Sequence, residues 1–286
     1  MSRRYHFRVV NVFAESRLAG NPLAVIENAE GLSDGEMQQL ALQFNLSEST
    51  FILASARADV RVRIFTPTFE MPFAGHPTLG SAHVVRALGR GADALTLEMK
   101  AGIIPVVAGA DAAARDVWTL TANAPTYREY EFSREQIAEA LGLRESDIAD
   151  APRWINAGVE QLIVPLGSAD AVARATPRMD LCLKFCANFM EAQAYVFARR
   201  DEANIVSRYF FQQGGALIED PGTGSACANL GGYLLAAGAS LPLRIDVSQG
   251  IATGRPCLLH LDVGTDRRIR VGGRVVELMR GEIELD

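Results

Sequence analysis

Residues 219–230 are Glu-Asp-Pro-Gly-Thr-Gly-Ser-Ala-Cys-Ala-Asn-Leu, and the residues on either side indicate what this stretch does. Upstream, residues 205–211 are mostly β-branched and aromatic, as in a buried strand. Downstream, residues 225–237 are small or apolar on almost every face, which predicts a helix inside a core. Gly222 and Gly224 permit a tight turn between strand and helix, and the helix N-terminus offers N–H groups to an anion such as a carboxylate. We call residues 220–225 the second elbow.

The same construction occurs earlier, at Pro72-Phe73-Ala74-Gly75-His76-Pro77, which we call the first elbow. An alternating strand over residues 59–66 precedes it, and a nearly all-apolar helix over residues 77–88 follows, with Pro77 as its first residue. Gly75 and Gly222 are 147 positions apart (222 − 75), about half of the 286 residues. We therefore predict two related halves, residues 1–122 and 123–286, with the last strand able to return to the first half.

The overall composition is that of an ordinary globular protein, with 49% hydrophobic and 22% charged residues. A net charge of −6 argues against a nucleic-acid partner or an anionic membrane. No apolar run is long enough to span a membrane, and the N-terminus lacks the apolar segment of a signal peptide, so we expect a cytoplasmic protein. The four cysteines have no metal-site spacing, and we expect buried free thiols.

Two capping boxes predict helices: Ser33-x-x-Glu36 opens a helix over residues 34–44, and Ser133-x-x-Gln136 opens one that ends at about residue 141. The similarity of the two boxes supports the duplication. Short β-rich segments fill most of the remaining chain. The architecture that accounts for two all-apolar helices is α+β: two pseudo-symmetric halves, each a curled, barrel-like mixed β-sheet around a central buried helix.

Two candidate catalytic residues lie in the first half. Glu48 stands before a strand in an uncharged stretch, and a partly buried glutamate can both take and return a proton. The alternatives are a surface glutamate or a capping box with Asn45. His76 lies inside the first elbow, where the helix dipole favours a neutral imidazole that can accept a proton. The alternative is a turn histidine that bonds only backbone groups.

Asp220 and Ser225 are the candidates in the second half. Either could instead cap the helix that follows. If the two elbows face one another across a pseudo-twofold axis, His76, Asp220 and Ser225 share one cleft. Other site types fail: Cys227 stands where a dinucleotide fingerprint needs its third glycine, and neither a nucleophile elbow nor a phosphate-binding loop is present. Four scattered histidines make a metal site an unfavoured reading.

The sequence resembles the phenazine-biosynthesis PhzF family, within the diaminopimelate-epimerase-like superfamily. The matching stretches, from about residue 19 to residue 256, are Ala19-Gly20-Asn21-Pro22, Asn45-Leu46-Ser47-Glu48-Ser49-Thr50-Phe51, Arg63-Ile64-Phe65-Thr66-Pro67, the first elbow, Glu219-Asp220 with Thr223-Gly224-Ser225-Ala226, and Gln249-Gly250 with Gly254-Arg255-Pro256.

The resemblance implies two halves with the active site between them, a homodimer, and a cofactor-independent isomerase acting on a small carboxylate-bearing substrate. It implies that Glu48 is the acid/base, assisted by His76, Asp220 and Ser225. The substrate-binding residues it implies are Gly75, Gly222, Thr223, Gly224 and Asn21. The superfamily's epimerases use two cysteines, and Ala74 and Pro221 stand in those places here. An epimerase or lyase acting on an amino or hydroxy acid, and a non-catalytic small-molecule binding protein, are the alternatives.

Overall fold

The computed structural model describes residues 2–110, 114–189 and 191–286. The chain forms two compact units: unit 1 is Met1–Thr121 with Gly272–Asp286, and unit 2 is Ala122–Val271. The described strands are β1 (Arg3–Val12), β2 (Asn21–Ile26), β3 (Glu48–Leu53), β4 (Val60–Phe65), β5 (Glu70–Met71), β6 (Ala94–Met99), β7 (Gly102–Ala108), β8 (Val117–Thr121), β9 (Thr126–Glu129), β10 (Arg153–Asn156), β11 (Glu160–Pro165), β12 (Gln193–Arg199), β13 (Asn204–Gln213), β14 (Ala216–Asp220), β15 (Leu243–Gln249), β16 (Cys257–Val263) and β17 (Ile269–Leu285). The described helices are α1 (Asp34–Phe44), α2 (Gly75–Ala87), α3 (Arg134–Ala140), α4 (Ala169–Arg174), α5 (Met179–Phe185) and α6 (Gly224–Ala236), with a 3₁₀ turn at Glu145–Asp147.

The sheet of unit 1 closes on itself. Its strands pair in the order β17–β1–β2–β3–β4–β6–β7–β8, and β8 pairs with β17 again. The β2–β3 and β4–β6 pairs are parallel, and the others with a defined register are antiparallel. A parallel pair needs a crossover connection, which α1 provides for the first pair and α2 for the second.

Helix α2 packs inside this sheet because most of its residues are small or apolar. Residues 76–82, 84 and 85 of the helix are buried. Gly80 faces β2, where a Cβ would lie 2.6 Å from Cδ2 of Leu23, so the helix packs closely against the strand. This close approach is possible because glycine has no side chain.

Unit 2 repeats this plan. Its strands pair in the order β9–β10–β11–β12–β13–β15–β16, with β11–β12 and β13–β15 parallel and the other pairs antiparallel. Helix α6 is buried over nearly its whole length and contacts β10, β11 and β16. Gly231 on α6 faces Ile269 and Leu261, where a Cβ would lie 2.9 Å from Cγ2 of Ile269. Each unit is therefore a curled mixed sheet around one buried helix.

The two units have the same order of antiparallel and parallel strand pairs. In this alignment β1–β7 of unit 1 correspond to β10–β16 of unit 2, and helix α2 corresponds to helix α6. In that alignment α1 joins the first parallel pair of unit 1, while α4 and α5 join the corresponding pair of unit 2. Helix α3 instead precedes β10, so it does not correspond to α1 in position. The Ser133 capping box was therefore wrong as support for the duplication, although both capping boxes form. A capping box specifies where a helix begins, not its place in a repeat.

Other local predictions needed correction. Helix α2 begins at Gly75, so Pro77 is its third residue. This position tolerates proline because the first four N–H groups of a helix have no partner within it. Strand β14 lies between the predicted strand of residues 205–211 and the second elbow, forming a hairpin with β13. Strands β5, β9 and β10 and helix α5 were not predicted, and β17 is one long strand over Ile269–Leu285.

Candidate active-site residues

In unit 1, three of the candidate side chains come together at the ends of their elements. Asn21 is the first residue of β2, Glu48 the first of β3, and His76 the second of α2. Leu23 pairs with Glu48 in the parallel β2–β3 ladder, which brings the starts of both strands to the same edge. His76 Nε2 lies 3.4 Å from Oε2 of Glu48, and His76 Nδ1 lies 3.4 Å from Nδ2 of Asn21.

His76 is neutral in this setting. Its side chain is 6% exposed, and burial lowers the pKa of the imidazole to about 3, with a backbone contact to Pro22 opposing the shift. Burial is the main cause of this shift, and it favours the neutral imidazole that the sequence predicts. A neutral imidazole next to a carboxylate can donate or accept a hydrogen bond at physiological pH. The pair therefore places a carboxyl group beside a hydrogen-bonding ring in a site that is largely withdrawn from water.

The structural alternatives for Glu48 do not fit its position. Its side chain is 15% exposed, so Glu48 is not an ordinary surface glutamate. Asn45 ends α1 as its C-cap in the left-handed region (φ 50°), and its N–H donates to Ala41 O. Residue 45 therefore terminates a helix instead of starting one, and no capping box with Glu48 exists.

In unit 2, Asp220 is held by a hydrogen-bonded cluster. Thr223 Oγ1 donates to Asp220 Oδ2 over 2.5 Å. Gln249 is fully buried, and its Nε2 donates to both Asp220 O and Thr223 Oγ1 over 2.9 Å, while its Oε1 accepts from Thr223 N at 3.2 Å. Gly250, with φ of 77°, turns the chain directly after Gln249. Asp220 is the last residue of β14 and does not cap α6, because the N-cap is Thr223.

Ser225 is the second residue of α6, and it does not cap the helix either. Its Oγ accepts a hydrogen bond from Nε2 of Gln161 over 3.1 Å. Gly222, Thr223 and Gly224, the other candidates here, are buried around the start of the helix. The structure thus groups Asn21, Glu48, Gly75 and His76 within unit 1, and Asp220, Gly222, Thr223, Gly224 and Ser225 within unit 2.

The two buried helices share one feature that distinguishes them from three others. Helices α1, α3 and α4 have serine N-caps, namely Ser33, Ser133 and Ser168. Each serine hydroxyl accepts a hydrogen bond from a backbone N–H in the first turn of its helix. Helices α2 and α6 have Ala74 and Thr223 at the N-cap, with no side-chain cap bond. The threonine hydroxyl is turned to Asp220 instead. Both elbows therefore present an uncapped positive helix end, which suits an anionic ligand group.

Sequence reasoning missed the amides that support the second elbow. Gln249 stands in a motif of the sequence, but the sequence indicates no partner for Gln249, Gln161 or Asn229. All three are buried. The available signal was a polar residue in an otherwise apolar element, such as Asn229 in α6, because a buried amide must find partners.

The cysteines do not supply a catalytic pair among these residues. All four are free and buried, and burial raises the pKa of the Cys227 thiol. Within the described ranges, no group of three or more histidine, cysteine, aspartate or glutamate side chains could hold a metal ion. A helix long and apolar enough to cross a membrane is also absent from that part of the chain.

Comparisons with known proteins point to one family. Residues 10–281 match the PhzC-PhzF family, described as phenazine biosynthesis-like protein. An uncharacterised isomerase from Pasteurella multocida is 38% identical over 98% of this chain and 94% of its own. A trans-2,3-dihydro-3-hydroxyanthranilate isomerase from Pseudomonas aeruginosa is 33% identical over 90% of this chain and 89% of its own.

A solved structure shows the same fold. The crystal structure of a PhzF-family phenazine biosynthesis protein from Bacillus anthracis has a TM-score of 0.87 to this chain and 25% sequence identity. The likeness covers 98% of this chain and 99% of that one. The predicted α+β fold class and the resemblance found in the sequence are both confirmed.

Proposed function

Since the chain belongs to the PhzC-PhzF family of phenazine biosynthesis-like proteins and is an isomerase, we propose that it shifts a proton on a small, carboxylate-bearing substrate without a cofactor, with Glu48 as the acid/base. One observation carries this proposal above the others. The Glu48 carboxylate and the neutral His76 imidazole lie 3.4 Å apart, both largely withdrawn from water, at the uncapped start of α2.

In the proposed reaction, Glu48 removes a proton from a carbon next to an unsaturated or carboxyl-bearing system and returns it elsewhere on the same face. A single base that gives back the proton it took suits such a shift better than an inversion. General acid/base catalysis of this kind contributes roughly 10² to 10⁴-fold, and preorganised donors and orientation supply most of the remaining rate.

The second elbow has a role in the same proposal. Ser225 and the amides of Gly222, Thr223 and Gly224 hold the substrate carboxylate, while Asp220 orients a polar substituent. That both elbows serve one substrate rests on the internal duplication and on the family. We also propose that the protein is a homodimer and that it is cytoplasmic. Light scattering on the purified protein measures the oligomeric state.

A cyclic dihydro amino acid is the first substrate to test, because a relative with 33% identity is named a trans-2,3-dihydro-3-hydroxyanthranilate isomerase. The compound, with a panel of small cyclic amino and hydroxy acids, is followed by NMR in D₂O. Wild type, Glu48→Gln and Glu30→Gln are compared, the last being an exposed glutamate of the same unit. We expect a double-bond shift with deuterium at carbon for wild type and Glu30→Gln.

We expect Glu48→Gln to lose at least about a hundredfold in turnover while remaining folded. Retention within about tenfold, a loss of about 1.4 kcal/mol, would remove Glu48 from the acid/base role. Inversion at one carbon would indicate an epimerase instead, and loss of water a lyase. Binding without exchange across the panel would indicate a binding protein.

A further inference from the structure

A chain of buried amides in unit 2 has its polarity fixed by the backbone. The N–H of Ala157 donates to Oδ1 of Asn229 over 2.8 Å. Because a backbone N–H can only donate, the side-chain atom facing it must be the Asn229 oxygen. The Asn229 Nδ2 then donates to the carbonyl of Val159 over 2.9 Å and to Oε1 of Gln161 over 2.8 Å.

The same reasoning fixes the orientation of Gln161. Its Oε1 accepts from Asn229, so its Nε2 is the atom that faces Ser225 Oγ at 3.1 Å, as donor. Both Gln161 and Asn229 are almost completely buried, so water does not compete for these bonds.

A serine hydroxyl that accepts a hydrogen bond from a fixed donor keeps its own proton for another acceptor. Ser225 is half-buried at the start of α6, beside the uncapped helix end. We propose that Gln161 is a positioning residue that holds the Ser225 hydroxyl as a donor toward the substrate, so that this position selects a carboxylate or another group that can only accept. The inference rests on the proposed function of Ser225 and names what that residue selects.

The test reverses the polarity without changing the shape. In Gln161→Glu, the new carboxylate accepts from Asn229 and also from the Ser225 hydroxyl, which turns the serine proton away from the ligand. The probe is anthranilate, titrated calorimetrically at about pH 8.5, where the new carboxyl group is ionised. We expect the Kd to rise about 10- to 100-fold, the value of one charge-assisted hydrogen bond.

A new negative charge could weaken binding by repulsion alone, and a double-mutant cycle separates the two effects. Ser225→Ala is measured in the wild type and in the Gln161→Glu background. If Gln161→Glu removes the Ser225 donor, Ser225→Ala should weaken anthranilate binding in the wild-type background. In the Gln161→Glu background, the same substitution should change the Kd by less than about threefold. Equal effects in the two backgrounds would overturn the proposal, because simple repulsion leaves the serine donor in place.

Two further variants keep the test valid if Gln161→Glu does not fold. Gln161→Met removes the donor without supplying an acceptor, so the Ser225 proton remains available and binding stays nearer to wild type. Asn229→Asp forces Gln161 to turn its Nε2 toward residue 229, which places the Gln161 Oε1 against Ser225. This variant should weaken anthranilate binding although residue 229 does not contact Ser225. If Asn229→Asp binds anthranilate as wild type does, the inference is wrong.

The outcomes distinguish this inference from the proposed function. Wild type that binds anthranilate in a Ser225-dependent manner but does not isomerise the dihydro compound overturns the proposed function only. Wild type that isomerises the compound, with Kd and KM unchanged in Gln161→Glu, overturns the inference only. In the expected case, Gln161→Glu raises KM much more than it lowers kcat, because the contact to the carboxylate is made in both ground and transition states.

Discussion

The hydroxyl of Thr223 donates to the Asp220 carboxylate over 2.5 Å, although Thr223 occupies the N-cap position of α6. Threonine at an N-cap ordinarily accepts from the helix N–H groups, worth about 1 kcal/mol to the helix. Here that contribution is given up, and Gln249 supplies a second bond to the same hydroxyl. The geometry at the second elbow therefore favours a fixed carboxylate over a capped helix.

Replacing Thr223 tests this relationship. Thr223→Val keeps the shape but removes the donor, and we expect kcat to fall about 10- to 100-fold because Asp220 is no longer held in one orientation. Stability should fall by only about 1 kcal/mol, since Gln249 retains its bond to the Asp220 carbonyl. Steady-state kinetics and urea unfolding measure the two quantities. Thr223→Ser restores the donor and should recover kcat, and a serine variant as slow as the valine one would contradict the argument.

His76 makes the stability of the protein depend on pH. Its pKa is lowered from 6.5 to about 3 in the folded protein, so the unfolded chain binds more protons between these values. Stability is therefore fully present above about pH 6.5 and is lost as the pH falls toward 3, by at most about 1.4 kcal/mol per pH unit from this one group. We expect His76→Gln to flatten that slope in urea unfolding measured at about pH 7, 5 and 4.

The matched control for this measurement is His260→Gln. His260 is half-exposed in unit 2, where its Nδ1 lies 2.8 Å from Oδ1 of Asp246. Its variant measures the slope that remains when a half-exposed histidine is removed instead of His76. His83, whose pKa burial also lowers, is present in all three proteins and contributes equally to each. Identical slopes for wild type and His76→Gln would show that the imidazole does not stay neutral through burial.

The sequence predicted the fold well where a local signal is strong. Helix α1 begins and ends where its capping box and apolar pattern place it, and α6 was recognised because an all-apolar helix must be buried. Strand β14 was missed because Ala216–Asp220 is short and mixed in polarity, and its strand character comes from pairing with β13. Propensity alone does not predict a strand that the partner strand defines.

The candidate side chains were predictable from the sequence, but their partners were not. Glu48 and His76 are 28 residues apart, and they lie on β3 and α2, two elements whose approach no local pattern specifies. The bond between Gln161 and Ser225 joins residues 64 positions apart, and that between Asn229 and Ala157 joins residues 72 apart. Such contacts follow from the packing of each helix against its sheet, and a single sequence carries no local signal of that packing.

Two glycines with the same backbone angle give a test of the second elbow. Gly250 has φ of 77° and Gly238 has φ of 78°. A Cβ at Gly250 would lie 2.3 Å from the carbonyl oxygen of Arg255 and 2.4 Å from that of Pro221, whereas a Cβ at Gly238 meets nothing within 4 Å. We expect Gly238→Ala to cost about 1 kcal/mol, the penalty of the left-handed angle alone. Gly250→Ala should cost at least about 3 kcal/mol, because two backbone groups must move.

Urea unfolding of both variants compares these costs directly. Gly250→Ala should also lower kcat, since Pro221 stands between Asp220 and the glycines of the elbow. Gly238 follows the far end of α6, and its variant should retain wild-type activity. Equal free energies of unfolding for the two variants would mean that the space around Gly250 does not constrain the second elbow.

Cys227 tests the proposed one-base chemistry against a reaction in which a thiol moves the proton. The elbow positions hold Ala74 and Pro221, and Cys227 lies further along α6, fully buried, with a thiol pKa that burial raises. A thiol in that state is protonated at neutral pH and does not act as a base.

We expect Cys227→Ala to keep kcat/KM within about threefold and to lose only about 1 kcal/mol of stability from the small cavity. Alkylation of the folded wild type with iodoacetamide should likewise leave activity intact. A loss of a hundredfold or more in Cys227→Ala, with the fold preserved, would instead assign the proton transfer to the thiol and reopen the epimerase alternative.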